Sequence, residues 1–186
     1  MKPRAPGSLL PESRIISVNR QWLEGMWDHM RQKYGIYLRV LDAIPADQFH
    51  QTPIAGMRTP AQLVVHTSGS ILRDIAEGVA SGTIGADEGG EDSVASRLVS
   101  KDDVIAYARE CWARAAAAIA NVGDEQLAGG VANPWGMPLN GTFAMVILND
   151  EFTHHRGQLF AFARACGAEP PFMWGFGDNP EGFRPD

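Results

Sequence analysis

Apolar side chains recur every three or four residues in four separate stretches of the chain, which is the pattern of helices with one buried face. These stretches cover residues 17–44, 60–81, 101–122 and 142–166. No sustained alternation of apolar and polar residues appears, so the sequence gives no sign of strands. The pattern predicts an all-α fold: a four-helix bundle with long loops and an irregular C-terminal tail.

Residues suited to helix ends support these bounds. Thr59 precedes a proline, as expected for the residue that caps the second helix with proline at the first helical position. Ser100 is expected to cap the third helix and Thr142 the fourth. Gly167 can end the fourth helix in the left-handed conformation, and the two prolines that follow soon after forbid continuation.

The length suits a single domain that spans residues 1–186. Residues 1–16 are rich in proline and serine and are expected to run as an extended N-terminal arm. Residues 172–186 have no periodicity and are expected to form the irregular tail. The connection 82–100 holds the acidic, glycine-rich run ADEGGED at residues 86–92. This run lacks the alternation of an EF-hand loop, so we expect a solvated loop.

Charge and composition exclude several classes of function. The formal net charge of −6 and the absence of any long basic run argue against binding to nucleic acid. The apolar runs are too short to span a membrane, and the N-terminus lacks the apolar segment of a signal peptide, so a cytoplasmic protein is expected. Cys111 and Cys166 are expected to be buried free thiols in a reducing compartment rather than a disulfide.

The fourth helix carries the strongest chemical signal, because Glu151 and His155 are spaced one helical turn apart. Residues with this spacing lie about 6 Å apart at Cβ, on the same face. That face also holds large apolar residues, and a buried charge without compensation is costly. A divalent metal ion would compensate both groups. The alternatives are a simple hydrogen-bonded pair, or a helix rotated so that both side chains meet water.

The same spacing occurs one residue earlier, at Asp150 and His154, so a second register exists. The stripe through Glu151 and His155 is preferred because its neighbours near the two polar groups are bulkier: Leu148, Leu159 and Phe162.

His66 is the third candidate, within an apolar part of the second helix. A histidine in such a place is more often a core residue that hydrogen-bonds within the protein than a metal ligand. If the second and fourth helices bring their polar groups to the same depth, His66, Glu151 and His155 would form a face of two histidines and one carboxylate. Such a face leaves coordination positions open for water or substrate. The predicted metal ligands are therefore these three residues.

Two segments resemble the DinB/YfiT-like family of four-helix-bundle proteins: VVHTSGS in the second helix, and HHRGQLFAFARACGAEPP at the end of the fourth. The resemblance implies a zinc or nickel ion held by one histidine of the second helix and a His-x-x-x-His pair of the fourth. The first and last of these ligands fall on His66 and His155. Most members have histidine where this chain has Glu151, and an oxygen ligand also suits harder ions such as iron or manganese.

The resemblance implies two classes of function. Members with known activity are thiol-dependent transferases and isomerases that act with low-molecular-weight thiols such as bacillithiol or mycothiol. The first hypothesis is therefore a metal-dependent enzyme, a thiol S-transferase or a related hydrolase, that acts on a small molecule with a metal-activated thiol or water. The second is a non-catalytic metal-binding bundle, linked to stress, that acts through dimerisation or binding. Nothing in the sequence identifies the catalytic residues.

A homodimer is expected in either case. The first helix and the C-terminal tail carry more large apolar and aromatic side chains than one small bundle easily buries, and apolar surface of that kind commonly marks an interface.

Overall fold

The computed structural model of the protein describes residues 18–85 and 89–184. Its helices in chain order are α1 (Arg20–Ala43), α2 (Pro60–Val64), a π-helical segment (Val65–Arg73), α3 (Asp74–Ser81), α4 (Gly90–Arg97), α5 (Lys101–Ile119), α6 (Asp124–Ala128) and α7 (Gly141–Ala165). In the described ranges no strand forms, and two isolated bridges join loop residues. The extended arm expected at residues 1–16 lies outside the described residues.

The four-helix bundle is confirmed. α2, the π segment and α3 follow one another without interruption and make one long helical rod, which packs with α1, α5 and α7 around a common apolar core. The four predicted stretches therefore correspond to α1, this rod, α5 and α7. No helix in residues 18–85 or 89–184 combines the length and the apolar character needed to cross a membrane.

The observed helix ends agree with the predicted capping residues at three positions and differ at one. Thr59 and Ser100 each form a complete capping box, and Gly167 has a φ of +77° at the end of α7. The prediction for the start of α7 is wrong, because Asn140 is the capping residue. Its side chain accepts a hydrogen bond from the Phe143 amide at 2.8 Å, whereas the Thr142 hydroxyl donates to the Leu127 carbonyl.

The connection 82–100 is not the continuous solvated loop that its composition predicts. Gly90–Arg97 forms helix α4, which buries Val94 and Ala95 against Val65 at the start of the π segment. Two apolar residues on one side are enough to hold a helix of two turns against a larger element, although the helix would not form alone. This correction matters because α4 brings a carboxylate to the candidate site.

Three of the four aromatic residues of α1 are buried inside the bundle: Trp27, Tyr34 and Tyr37. Trp112 of α5 stacks on Trp27 and Tyr34 of α1, with ring centroids 4.8 Å and 4.4 Å apart. Most large side chains of α1 are therefore buried within its own bundle rather than offered to a partner, and the homodimer stays a prediction.

The described part of the tail packs along α1 with two short 3₁₀ turns, Phe176–Asp178 and Glu181–Phe183. Asn179 anchors it by accepting a hydrogen bond from Arg39 and donating one to the Gln32 carbonyl. A side chain at Gly35 would collide with Asn179, so glycine at that position lets the tail approach the helix closely. The tail is otherwise irregular, as predicted.

Both cysteines are free thiols. Cys111 is buried, and burial is the main reason that the pKa of its thiol is raised to about 11. Cys166 is half-buried at the end of α7, so the expectation that both thiols are buried is wrong for this residue.

Candidate functional site

The π segment positions His66. Its helical turns are wider than those of an α-helix, and such segments occur often at functional sites. The Thr67 hydroxyl donates to the Leu63 carbonyl at 2.7 Å, one turn back. Gly69 faces Tyr107 of α5 so closely that any side chain there would meet its hydroxyl group. The absence of a side chain at Gly69 thus allows the π segment to pack closely against α5.

His66 and His155 meet between the π segment and α7. Their ring centroids are 4.6 Å apart and the rings are nearly perpendicular. His155 is only 6% exposed, and its Nε2 lies 3.3 Å from Glu151 Oε2. The structure therefore brings the three predicted site residues together at one place.

Glu151 differs from expectation in its surroundings. The sequence predicts that Glu151 and His155 both face the core, but the Glu151 side chain is 46% exposed whereas His155 is buried. A step of 400° per four residues turns Glu151 away from His155 by about 40° around the helix axis. Glu151 consequently lies at the rim of the site, with one side toward solvent.

The alternative pair lies at the surface, since Asp150 and His154 are both exposed. His154 is nevertheless linked to the site. The Gln158 side chain bridges the two neighbouring histidines, with Oε1 2.9 Å from His155 Nδ1 and Nε2 3.1 Å from His154 Nε2.

Glu91 of α4 is the site residue that the sequence analysis missed. Its Oε1 lies 2.6 Å from His66 Nδ1 and accepts a hydrogen bond from the Ser70 hydroxyl at 2.7 Å. Arg58 approaches the other carboxylate oxygen at 3.5 Å. Burial raises the pKa of Glu91, but the hydrogen bonds from His66 and Ser70 outweigh burial and hold the pKa below its usual value. An ionised carboxylate therefore faces His66.

The contact with Glu91 fixes the tautomer of His66, and the contact with Gln158 favours the same tautomer for His155. A carboxylate only accepts hydrogen bonds, so His66 must carry its proton on Nδ1. Gln158 Oε1 likewise accepts from Nδ1 of His155. In the neutral rings, each Nε2 is then left with a free lone pair. Within the described residues, the buried Nε2 of His155 makes no hydrogen bond, and the nearby Glu151 Oε2 lies 3.3 Å from it. Burial is the main cause of the lowered pKa of this ring.

The donor set fits a divalent ion in its chemistry. Two neutral imidazole nitrogens and one carboxylate are ordinary ligands for zinc, nickel, iron or manganese. In the part of the chain that the structure describes, no three His, Cys, Asp or Glu side chains stand close enough together to hold a metal ion as they are placed. Metal binding would therefore require a rearrangement of these side chains, and the solvent exposure of Glu151 leaves its carboxylate room to move.

The fold resembles that of a crystallised DinB-like protein from Bacillus cereus ATCC 10987. The TM-score is 0.65 at 18% sequence identity, over 80% of this chain and 95% of that chain, which shows a shared fold. No curated protein matches the sequence. The family model of the DinB superfamily matches residues 17–159, a range that includes His66, Glu151 and His155. The chain belongs to the DinB superfamily.

Proposed function

We propose that this protein is a metal-dependent enzyme, a thiol S-transferase or a related hydrolase, with one divalent ion bound by His66, Glu151 and His155. The observation that carries the proposal is the buried Nε2 of His155, which has no hydrogen-bond partner among the described residues and lies beside Glu151 and the ring of His66. A buried polar atom without a partner costs about 1–3 kcal/mol, and a metal ion would remove that cost. Metal binding is also general in the DinB superfamily.

Zinc and nickel are the first candidates for the ion, since imidazole suits both. The carboxylate of Glu151 adds a hard oxygen donor and extends the range to iron and manganese. Three protein ligands leave at least one coordination position for an exogenous group.

A divalent ion in this place would lower the pKa of a bound thiol or water and so supply a nucleophile at neutral pH. The residues of the chain orient the metal ligands and leave the site open to substrate. Gln158 and Glu91 fix the orientation of His155 and His66. The half-exposed Glu151 opens the site to solvent, which gives a small thiol and a small-molecule substrate a path to it.

Replacement of His155 by alanine tests the proposal. Protein made without a histidine tag is expected to hold about one ion per chain, and His155→Ala should lose it, because coordination sites depend on each ligand. His154→Ala is the matched control: it removes the neighbouring, exposed imidazole and should keep the ion. Metal content is measured by mass spectrometry after dialysis. Loss of metal in His154→Ala with retention in His155→Ala would contradict this ligand set.

A non-catalytic metal-binding bundle is the second candidate function. It is favoured by the exposed aromatic side chains of the tail, which suit a binding or dimerisation surface. The Co²⁺-loaded protein separates the two candidates. An enzyme with an open position should change its visible absorption when a small thiol is added, whereas a closed four-ligand site should not.

A further inference from the structure

Glu91 makes the shortest polar contact of the site, and no sequence pattern assigns it a role. It lies in the first turn of α4, 25 residues after His66, and its carboxylate reaches back to Nδ1 of that ring at 2.6 Å. The carboxylate is itself held from two sides, by the Ser70 hydroxyl and by the guanidinium of Arg58. The carboxylate is therefore fixed in place before it meets the histidine.

We propose that Glu91 is a positioning residue, which holds His66 as its Nδ1–H tautomer so that Nε2 faces the site as a metal ligand. The inference rests on the proposed function of the site. Metal-binding histidines commonly donate their other N–H to a carboxylate, which fixes the orientation of the ring and makes the ligating nitrogen more basic. The contacts of Glu91 with His66 have this arrangement.

Direct coordination by Glu91 is the competing role. It is disfavoured because Oε1 already accepts from both His66 and Ser70, and Oε2 faces Arg58. A ligand role would require Glu91 to break these contacts. A positioning role uses all of them as they are.

The direct test is the position of the proton on His66 in the metal-free protein. Two-dimensional ¹H–¹⁵N spectra above the titration range of histidine distinguish the two neutral tautomers by their nitrogen shifts. The wild-type ring should carry its proton on Nδ1. In Glu91→Ala the ring should lose this preference, because no acceptor then faces Nδ1. Asp92→Ala is the matched control, since it removes an exposed carboxylate from the same helical turn without contacting His66.

Zinc affinity is the second readout, measured by competition with a chromophoric chelator. Glu91→Ala should weaken zinc binding by roughly 10–100-fold, as is typical when the carboxylate partner of a ligating histidine is lost. The stoichiometry should stay at one ion per chain. Asp92→Ala should match the wild type. Glu91→Gln, which keeps the volume of the side chain, guards against a folding defect and should weaken binding in the same direction to a smaller extent.

The outcomes separate the two proposals. A wild-type protein that binds no zinc overturns both the metal-dependent function and this inference. Zinc binding that depends on His66 but is equal in Glu91→Ala and wild type overturns the inference alone. Complete loss of the ion in Glu91→Ala, as in His66→Ala, would also overturn it, because Glu91 would then be a ligand. An unchanged His66 tautomer in Glu91→Ala would also overturn the inference.

Discussion

Two cationic side chains are buried near each other between α1 and α7. Lys33 is 6% exposed and Arg156 is 4% exposed. Lys33 donates to Asn149 and Thr153 of α7, whereas Arg156 Nη1 makes no hydrogen bond within the described residues. Buried cations are normally paired with carboxylates, so this arrangement should lower the free energy of unfolding.

Replacement of Lys33 by methionine should change how the free energy of unfolding depends on pH. Burial lowers the pKa of Lys33, Arg156 lowers it further, and Asp150 opposes them. Because the folded pKa lies below the unfolded value of about 10.4, the unfolded chain binds more protons between the two values, and the contribution of Lys33 to the free energy of unfolding rises with pH in that window. The wild type should therefore gain stability relative to Lys33→Met from neutral pH toward pH 10.

Urea unfolding of the metal-free proteins at several pH values measures this effect. The difference between wild type and variant is the quantity to follow, because the raised pKa values of Cys111 and the buried tyrosines affect both proteins alike. A difference that does not change with pH would contradict the prediction.

At the scale of single residues, the sequence located His66, Glu151 and His155, which lie in helices with a clear periodic pattern, and missed Glu91, which lies in the short helix α4. Glu151 and His155 are one turn apart, so periodicity alone places them together. Glu91 reaches His66 through the packing of α4, which no local pattern encodes. The exposure of Glu151 also depends on tertiary packing, and periodicity did not predict it.

At the scale of elements, the π segment shows what a helical pattern leaves undetermined. Apolar spacing of three and four residues predicts a helix over 60–81 but does not distinguish α from π turns. In the structure the π segment packs closely against α5, where Gly69 faces Tyr107. Similarly, the two buried residues of α4 are too few to produce a periodic signal. The long helices were predictable because each carries several buried turns.

Gly69→Ala tests the closeness of the π segment to α5. Alanine normally stabilises a helix relative to glycine by about 1 kcal/mol. Here the new methyl group would meet the Tyr107 hydroxyl, and such overpacking typically costs about 1–3 kcal/mol, so Gly69→Ala should destabilise the protein. Chemical denaturation measures the change in the free energy of unfolding.

Two further variants serve as controls for this prediction. Gly25→Ala, on an exposed part of α1 with no atom within 4 Å of the added group, should be neutral or stabilising. In a Tyr107→Phe background, which removes the clashing oxygen, Gly69→Ala should cost less. A stabilising Gly69→Ala in the wild-type background would show that the two elements are not so closely packed.

At the scale of the whole molecule, the bundle and the family were predictable from local sequence features: four periodic segments, their capping residues and two motif segments. What the sequence did not reveal is which aromatic side chains the bundle absorbs. α1 buries Trp27 and Tyr34 against Trp112, whereas Phe172 and Trp174 of the tail remain 70% and 59% exposed. Composition counts both groups equally, and only the packing separates them.

The exposed aromatic side chains of the tail support the proposal of a homodimer whose interface is formed by the tail. Phe176 is anchored against His29 and Asn179 is tied to α1, so the segment is held in place while Phe172, Met173 and Trp174 face outward. Preorganised aromatic side chains are frequent anchors of interfaces. A dimer at micromolar concentration is the expected state.

Sedimentation equilibrium of the wild type and two double variants tests this proposal. Phe172→Ser with Trp174→Ser should weaken the dimer by at least tenfold, since a central aromatic anchor contributes about 2 kcal/mol or more. Trp135→Ser with Met137→Ser is the matched control. It removes a second exposed apolar pair that lies before α7, a helix of 25 residues and therefore about 37 Å long, and should leave the dimer intact. A wild-type protein that is monomeric at micromolar concentration would contradict the dimer. Dissociation by the control pair alone would place the interface at the other end of α7.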